Sequence, residues 1–583
     1  MHRVFTRRAL GQTLCLSCRK TTAGGPVGFI TRPIQRPLEV PCPYLQRRAY
    51  HTPSQVLSTF RSHHDTIYAL SSANGKAGVA VIRVSGPACT QIYSGLCPHK
   101  KAPKPRYAFV RTLFVPGTQG AEILDSAALV LYFPGPKTVT GEDVLELHVH
   151  GGSATVKAVL SAIPKCASDG CIRYAEPGEF TKRAFMHDRL DLAQVEALSE
   201  MLAAETEQQR RAAVRGSSGS LGRTYEDWRH NLLEARAELE ALIDFQEDQH
   251  FDESPATLVG SVTQKVRDIL RSIGVHEMAS QRTELLRNGI QVALLGPPNV
   301  GKSSFMNQVV GREASIVSGE SGTTRDIIEA NLDIRGYLCI FADTAGFRTA
   351  TTSGNNNATC SQPIIGAVEE EGIRRARARA TQSDVIITLA SVEERMAGGH
   401  EIRYDMETLK LAAACQQRLV LVNKIDAVPE ADLRVLVRNF RDEVLKKIPS
   451  LENVAPTLIS CKEARNQGSD QQDPGGVRLV ADHLVLAFQN MTSLPTSLQD
   501  LHGVTERQRQ LLVRCRNSLE EYVAVTESVD EGIREADQDL DLTMAAEHLR
   551  YAASCLGRIT GRGEAGDVEE ILGVIFEKFC VGK

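Results

Sequence analysis

The sequence predicts a multidomain protein of mixed α/β and α class: an N-terminal α+β segment, then a helical segment interrupted by a doubly wound α/β unit. Three observations predict it. A chain of 583 residues is too long to organise around one hydrophobic core. From Ile290 to about Phe488, apolar strands ("IQVALLG", "LCIFAD", "DVIITLA", "RLVLVNK") alternate with amphipathic segments, the α/β signature. On the N-terminal side of that unit Leu192, Val195 and Leu202, then Leu232, Ala235, Leu239 and Leu242, recur at helical spacing. The chain turns helical again after "TSLPTSLQD".

The segments follow in order. Residues 1–60 hold nine Lys or Arg and one acid, a local balance of +8 that leaves −12 for the rest of a chain totalling −4. An Arg-rich, acid-poor leader with scattered Ser and Thr is expected to be a mitochondrial transit peptide; the alternative is a disordered basic tail. "RRAYHT" (Arg47–Thr52) resembles a matrix processing site. Residues 64–180 read as α+β, with "AGVAVIRVSG" and "EDVLELHVHGG" as β-rich runs broken by Gly and Pro. Residues 181–287 are the first helical part, 288–488 the α/β unit and 489–583 the second helical part. The flanking helices suggest one discontinuous helical domain, although periodicity cannot show that its parts pack together. No apolar run approaches the length of a membrane span. The acidic remainder argues against a protein that grips nucleic acid alone through a wide basic surface, leaving room for a local patch or a basic partner. Fourteen cysteines in so long a chain form no short-spaced framework, and the Cys15/Cys18 pair lies in the leader.

The α/β unit carries the chemistry. "GPPNVGKSS" (Gly296–Ser304) matches the phosphate loop directly after a strand. Backbone N–H groups of Asn299, Val300, Gly301, Lys302, Ser303 and Ser304 would curl around phosphates at a helix N-terminus. Lys302 would reach the β- and γ-phosphates, and the Ser303 hydroxyl would ligate Mg²⁺. Alone, such a loop also fits ATP. "GTTRD" supplies Thr323 and Thr324, the latter able to complete the magnesium shell, and "DTAG" (Asp343, Thr344, Ala345, Gly346) places an N–H at the γ-phosphate. "NKID" (Asn423, Lys424, Asp426) then offers a carboxylate for guanine N1 and N2. Adenine cannot present those donors. "SCK" (Ser460, Lys462) completes the base contacts, with Cys461 where related GTPases usually have Ala. These elements in this order read as a Ras-like P-loop GTPase domain binding GTP.

After "DTAG", Ras-like GTPases use a glutamine to orient the attacking water. Here Phe347 stands, with no polar atom for the task. Either GTP is bound without hydrolysis or the catalytic group comes from elsewhere. Asn299 offers an amide oxygen beside the phosphates, where a monovalent cation could replace an arginine finger; a loop-stabilising hydrogen bond is the plain alternative. "AVEEEGIRRARARA" (367–380) opens an amphipathic helix with three acids. They either complement the helix dipole or include the water-positioning group.

The chain resembles the MnmE or TrmE family of tRNA-modifying GTPases in its mitochondrial form. The likeness rests on "TGEDVLELHVHGG" (140–152), "AEPGEFTKRAFMHDRLDLAQVEAL" (175–198), "GTTRD" and the terminal "FCVGK" (579–583), and runs from about Asp65 to Lys583. It implies a homodimer with an N-terminal folate-binding domain and a GTPase domain inserted in a helical one. It implies that Glu369 orients the water and that potassium, held by Asn299 with Ser318, Glu320 and Thr323, stands in for the arginine finger. The stretch between Phe347 and Glu369 is longer than the usual family linker. A reduced folate (5,10-methylene- or 5-formyl-tetrahydrofolate) would contact Arg83, Glu146, Arg189 and Lys583. A carboxylate can pair a pterin edge and cations can meet a glutamate tail. Taken singly, each residue also fits a surface salt bridge. Cys580 would matter for the modification; its spacing alone reads as a buried helix cysteine.

The resemblance further implies a matrix protein acting on mitochondrial tRNA with an FAD-dependent subunit of the MnmG or GidA type. The expected product is a carboxymethylaminomethyl or taurinomethyl group on C5 of the wobble uridine. The alternative is a ribosome-assembly GTPase switch of the Era or Der type, which would need an appended RNA-binding module and no folate. A folate enzyme with a decayed GTPase part is disfavoured by intact "GKSS", "DTAG" and "NKID".

Overall fold

The computed structural model describes residues 65–118, 120–166, 170–244, 255–317, 329–342, 378, 380–395, 398–465, 473, 475–527, 542–562, 575, 579 and 581–582. Ser318, Glu320, Thr323, Thr324, Asp343, Thr344, Ala345, Gly346, Glu369, Cys580 and Lys583 lie outside the described residues, as does the basic leader.

The N-terminal segment forms a six-stranded sheet from β1 (Thr66–Leu70), β2 (Val79–Ser85), β3 (Phe109–Phe114), β4 (Ile123–Phe133), β5 (Val144–His150) and β6 (Ile172–Tyr174). Its order is β3-β4-β5-β2-β1-β6. The β1–β6 pair is parallel and the others are antiparallel. Alternation assigns the faces. In β2, Ala80, Ile82 and Val84 are buried, and in β5 Leu145, Leu147 and Val149 are. They pack with Tyr93 and Val159, which belong to the Cys89–Leu96 and Ser153–Ala162 helices. Arg83 and Glu146 therefore stand on the other face, directly opposite each other in the β2–β5 register.

Helices Ser220–Asp244 and Pro255–Asn288, and then Glu506–Glu527 and Leu542–Thr560, lie on the two sides of the α/β unit in sequence. They nevertheless share one core, in which Tyr225, Leu232 and Val266 meet Leu512, Tyr522 and Leu556. The 34-residue helix Pro255–Asn288 leads straight into the inserted unit. Gly289 ends it with a left-handed φ of 88°, the conformation a helix stop requires.

The inserted sheet contains β7 (Ile290–Leu295), β8 (Ala314–Ile316), β9 (Glu329–Ile334), β10 (Tyr337–Ala342), β11 (Val385–Glu394), β12 (His400–Arg403), β13 (Gln417–Asn423) and β14 (Thr457–Leu458). Its order is β14-β13-β11-β7-β10-β9-β8, with β12 beside β11. Strands β10, β7, β11, β13 and β14 are mutually parallel along this path. One face packs with the Lys302–Arg312 and Val477–Thr492 helices through Phe305, Val309, Leu484 and Phe488. The other receives Leu433 and Phe440 of the Glu430–Glu443 helix.

The described residues near the chain end meet the N-terminal sheet and the first helical part. Ile575 and Phe579 pack with Leu192 and Val195, Val581 bridges to Pro177, and Ser71 Oγ donates to Gly582 O at 2.7 Å. No described helix is long and apolar enough to cross a membrane. The described cysteines are unbridged, and burial pushes thiols such as Cys97 up to about 11.

Candidate functional site

Strand β7 ends at Leu295 and the chain turns at Gly296, whose φ is 146°. A Cβ there would lie 2.3 Å from Leu389 O, so only glycine lets the loop leave the sheet this closely. Gly301, at φ 100°, precedes the Lys302–Arg312 helix. A Cβ on it would lie 2.3 Å from Asn423 Nδ2. Both glycines thus hold open a backbone cradle at a helix N-terminus, the arrangement that receives phosphate. Asn299 in this loop also takes a left-handed φ, 66°. Ser303 and Ser304 open the helix in half-buried positions.

Lys302 Nζ donates to Gly296 O (2.6 Å) and Pro297 O (2.8 Å). Burial disfavours its ammonium and lowers its pKa, while Asp405 acts in the opposite sense. Among the described residues its hydrogen-bond partners are carbonyl oxygens, and a cation so held in a half-buried loop is poised for an anion.

The base-recognition residues reach the same edge from β13 and β14. Asn423 is buried; its Nδ2 donates to Val300 O at 2.8 Å and its Oδ1 accepts the Cys461 N–H at 3.1 Å. One side chain therefore ties the phosphate loop to the "SCK" turn. Ser460 Oγ donates to Asp426 Oδ1 at 2.6 Å and accepts the Glu463 N–H. The Lys462 ammonium stands 3.6 Å from Asp426 Oδ2. These partners orient the Asp426 carboxylate, which has lone pairs to spare for two further donors. Lys424 sits at φ 62° with its ammonium 3.1 Å from Glu393. Cys461, at the usual alanine position, is buried, and burial pushes its thiol up to about 11.

On the N-terminal sheet, Arg83 and Glu146 form a 3.0 Å ion pair, and Glu146 also meets His148 Nε2 at 3.4 Å. Arg189 is exposed; its Nε donates to Thr138 O at 2.9 Å, and among the described residues it pairs with no carboxylate. The structure therefore brings Asn299, Val300, Gly301, Lys302, Asn423, Asp426, Ser460 and Lys462 together. It sets Arg83 and Glu146 on a separate sheet, with Arg189 in the turn after the Glu179–Met186 helix.

Sequence reading missed a buried charged group beneath that sheet. Arg183, 2% exposed, reaches Glu142 (3.0 Å), Asp65 (2.9 Å) and Glu179 (3.2 Å). Arg173 joins it through Asp65 and Glu179. Glu142 also accepts from Ser85 Oγ. All but Arg173, Asp65 and Ser85 lie inside the two quoted N-terminal motifs, but the motifs do not say that their charges meet.

A sheet with a parallel core, a phosphate loop after β7, and "NKID" and "SCK" after β13 and β14, defines the class of P-loop GTPases. Comparison with known proteins narrows it. The family model described as GTP-binding protein TrmE N-terminus matches residues 66–189, and the MnmE helical domain model matches residues 192–580. A zebrafish (Danio rerio) protein named 5-taurinomethyluridine-[tRNA] synthase subunit GTPB3, mitochondrial, is 36% identical, over 89% of this chain and 93% of its own. The human (Homo sapiens) protein of the same name is 36% identical over the same shares. The tRNA modification GTPase MnmE of Parvibaculum lavamentivorans is 37% identical over 89% of this chain and all of its own. The chain belongs to the MnmE/TrmE family.

Proposed function

We propose that this protein hydrolyses GTP as part of tRNA modification in mitochondria, the step being addition of a carboxymethylaminomethyl- or taurinomethyl-type group to C5 of the wobble uridine. It acts as a homodimer in the matrix, with an FAD-dependent subunit of the MnmG or GidA type. The names borne by its relatives support this reading. The observation that carries it is the joining of the terminal "FCVGK" segment to the N-terminal sheet through Val581–Pro177 and Ser71–Gly582. A guanine-nucleotide switch has no use for that joint. The Era- or Der-type alternative is not favoured, because family likeness extends over the N-terminal and helical segments.

Within this reading Lys302 leaves the two loop carbonyls for the β- and γ-phosphates, and Asp426 selects guanine. Ser303 and Thr324 would hold Mg²⁺, and Asn299, Ser318, Glu320 and Thr323 would hold K⁺; the two ions supply positive charge to the phosphates. Glu369 positions the water in place of Phe347. Arg83, Glu146, Arg189 and Lys583 would hold the reduced folate, which supplies the one-carbon unit, and Cys580 serves the modification step. The cradle left open by Gly296 and Gly301 at a helix N-terminus suits phosphates. The Arg83–Glu146 pair can open toward a pterin edge, each member exchanging one charged partner for another.

The test is a GTPase assay of the protein without residues 1–60 in KCl against NaCl, with Glu369→Ala in parallel. Faster hydrolysis in KCl and a large loss in the variant are expected. Equal rates in both salts, or an unaffected variant, would remove the roles given to potassium and Glu369.

A further inference from the structure

From Thr66 to Ala121 the chain has seven Lys or Arg and no Asp or Glu, within a protein whose charge beyond the leader is −12. The fold gathers five of those cations at one end of the N-terminal sheet. Lys100, Lys101, Lys104 and Arg106 lie exposed in the segment leading into edge strand β3, and Arg111 lies on the strand. Lys137 joins them, since the Arg106 guanidinium donates to its carbonyl. Among the described residues none of these six is ion-paired. Arg111 Nε donates to the Tyr93 hydroxyl at 3.1 Å and not to a carboxylate. Asp143 is occupied by the Tyr132 hydroxyl and the Gly135 N–H, each at 2.8 Å.

Aromatic rings alternate with these charges. Tyr107 is 54% exposed, a large fraction for an aromatic side chain. Its ring lies 5.0 Å from that of Phe109, with Lys104 5.2 Å over one ring and Arg111 4.5 Å over the other. A merely solvated basic face needs no such ladder. The two rings are tilted by 44° to each other, and exposed aromatic rings flanked by cations suit single-stranded or looped RNA, phosphates meeting Lys and Arg while an unstacked base lies on an aromatic face.

We propose that this end of the N-terminal sheet is an RNA-binding surface for the tRNA substrate, with Lys100, Lys101 and Lys104 on phosphates and Tyr107 as the stacking platform. The proposal rests on the tRNA-modifying reading above and adds where the RNA is gripped. An acidic protein would use the cations but would not need the exposed ring.

The test measures binding of fluorescently labelled tRNA to the full chain without residues 1–60 by anisotropy, across a salt series. Wild type is compared with the triple variant Lys100→Gln/Lys101→Gln/Lys104→Gln and with Tyr107→Ala and Tyr107→Phe. All four positions are exposed and lie in the segment before β3, outside the nucleotide-binding sheet, so RNA-free GTP hydrolysis serves as the folding control. The triple variant should bind at least tenfold more weakly at low salt, with a log–log salt slope shallower by about 2 to 3. Tyr107→Ala should lose roughly fivefold or more at every salt concentration, and Tyr107→Phe should recover it. Unchanged affinity and slope in the triple variant overturn the proposal. So does tRNA binding that survives while association with the flavoprotein subunit is lost, which would make the patch a protein-docking face. Wild-type protein that binds no tRNA also overturns it. That last result leaves the modification reading standing, because nucleoside analysis of a deletion strain tests the reaction separately.

Discussion

Ser71 and Gly582 are 511 residues apart in the chain and meet through a 2.7 Å hydrogen bond from the serine hydroxyl to the glycine carbonyl. Gly582 has φ 97°, and a Cβ on it would lie 2.1 Å from Leu70 O. The contact is backbone against backbone, so no side chain fits without moving the tail. Gly582→Ala is therefore expected to displace the terminal segment, abolishing wobble-uridine modification in vivo while leaving GTP affinity of the purified protein within about twofold. Nucleoside analysis and nucleotide titration measure the two separately. Normal modification in the variant would count against a role for this joint.

Asp426 is oriented by Ser460 and Lys462. Asp426→Asn replaces an acceptor with a donor at guanine N1 or N2. GTP affinity should fall by about two orders of magnitude or more. Xanthosine triphosphate, which presents an acceptor there, should be bound in its place. Competition binding with the two nucleotides decides the matter, and retained preference for GTP would refute the assignment.

Asn423 satisfies two groups at once, Val300 O and the Cys461 N–H. Asn423→Ala leaves both unpaired in a buried place, at about 1–3 kcal/mol each. Lower thermal stability and weaker GTP binding should appear together. If melting were unchanged while binding fell, the tie between the phosphate loop and the "SCK" turn would not be structural.

Arg183 is the sole cation contacting Glu142 in the Asp65–Glu142–Glu179 cluster among the described residues. Arg183→Met strands that carboxylate and weakens the hold on two more, a change expected to cost about 3–5 kcal/mol. Limited proteolysis should show the N-terminal segment opened while GTP binding persists. Wild-type resistance to protease would contradict the prediction.

His276 lies buried against Tyr225, whose hydroxyl is 3.1 Å from Nδ1, and against Trp228 at 4.9 Å between ring centroids. Burial pushes its pKa down to about 4 from 6.5. The unfolded chain then binds the extra proton between those values, so stability is lost as pH falls through that window, by an amount on the order of 3 kcal/mol. Trp228 is the only tryptophan in the chain, and its fluorescence reports the site directly. A transition centred near pH 4 that disappears in His276→Gln is expected; a midpoint near 6.5 would mean the imidazole is not desolvated.

The parts legible in the sequence were those whose residues are neighbours in it. The phosphate loop and "NKID" are short words, each at the end of an apolar run, whereas "SCK" follows only the two-residue β14 and was legible from its own residues alone. Helical spacing likewise marks Leu232, Leu239 and Leu242, but periodicity gives no partner, and their shared core with Leu512 and Leu556 appears only in three dimensions. The Arg183 group was illegible for the same reason, since Asp65 lies 118 residues from Arg183 and Glu142 lies 41. Arg83 and Glu146 could be placed on β-rich runs, yet their mutual ion pair depends on the β2–β5 register. That register is set by which faces are buried.

Coupling of GTP hydrolysis to tRNA modification is tested most directly by nucleoside analysis of mitochondrial tRNA from a strain lacking this protein, complemented with wild type or with Lys302→Ala. The C5 substituent of the wobble uridine should be missing in the deletion, restored by wild type and not restored by Lys302→Ala. Unaltered wobble uridines in the deletion, or full rescue by the variant, would contradict it.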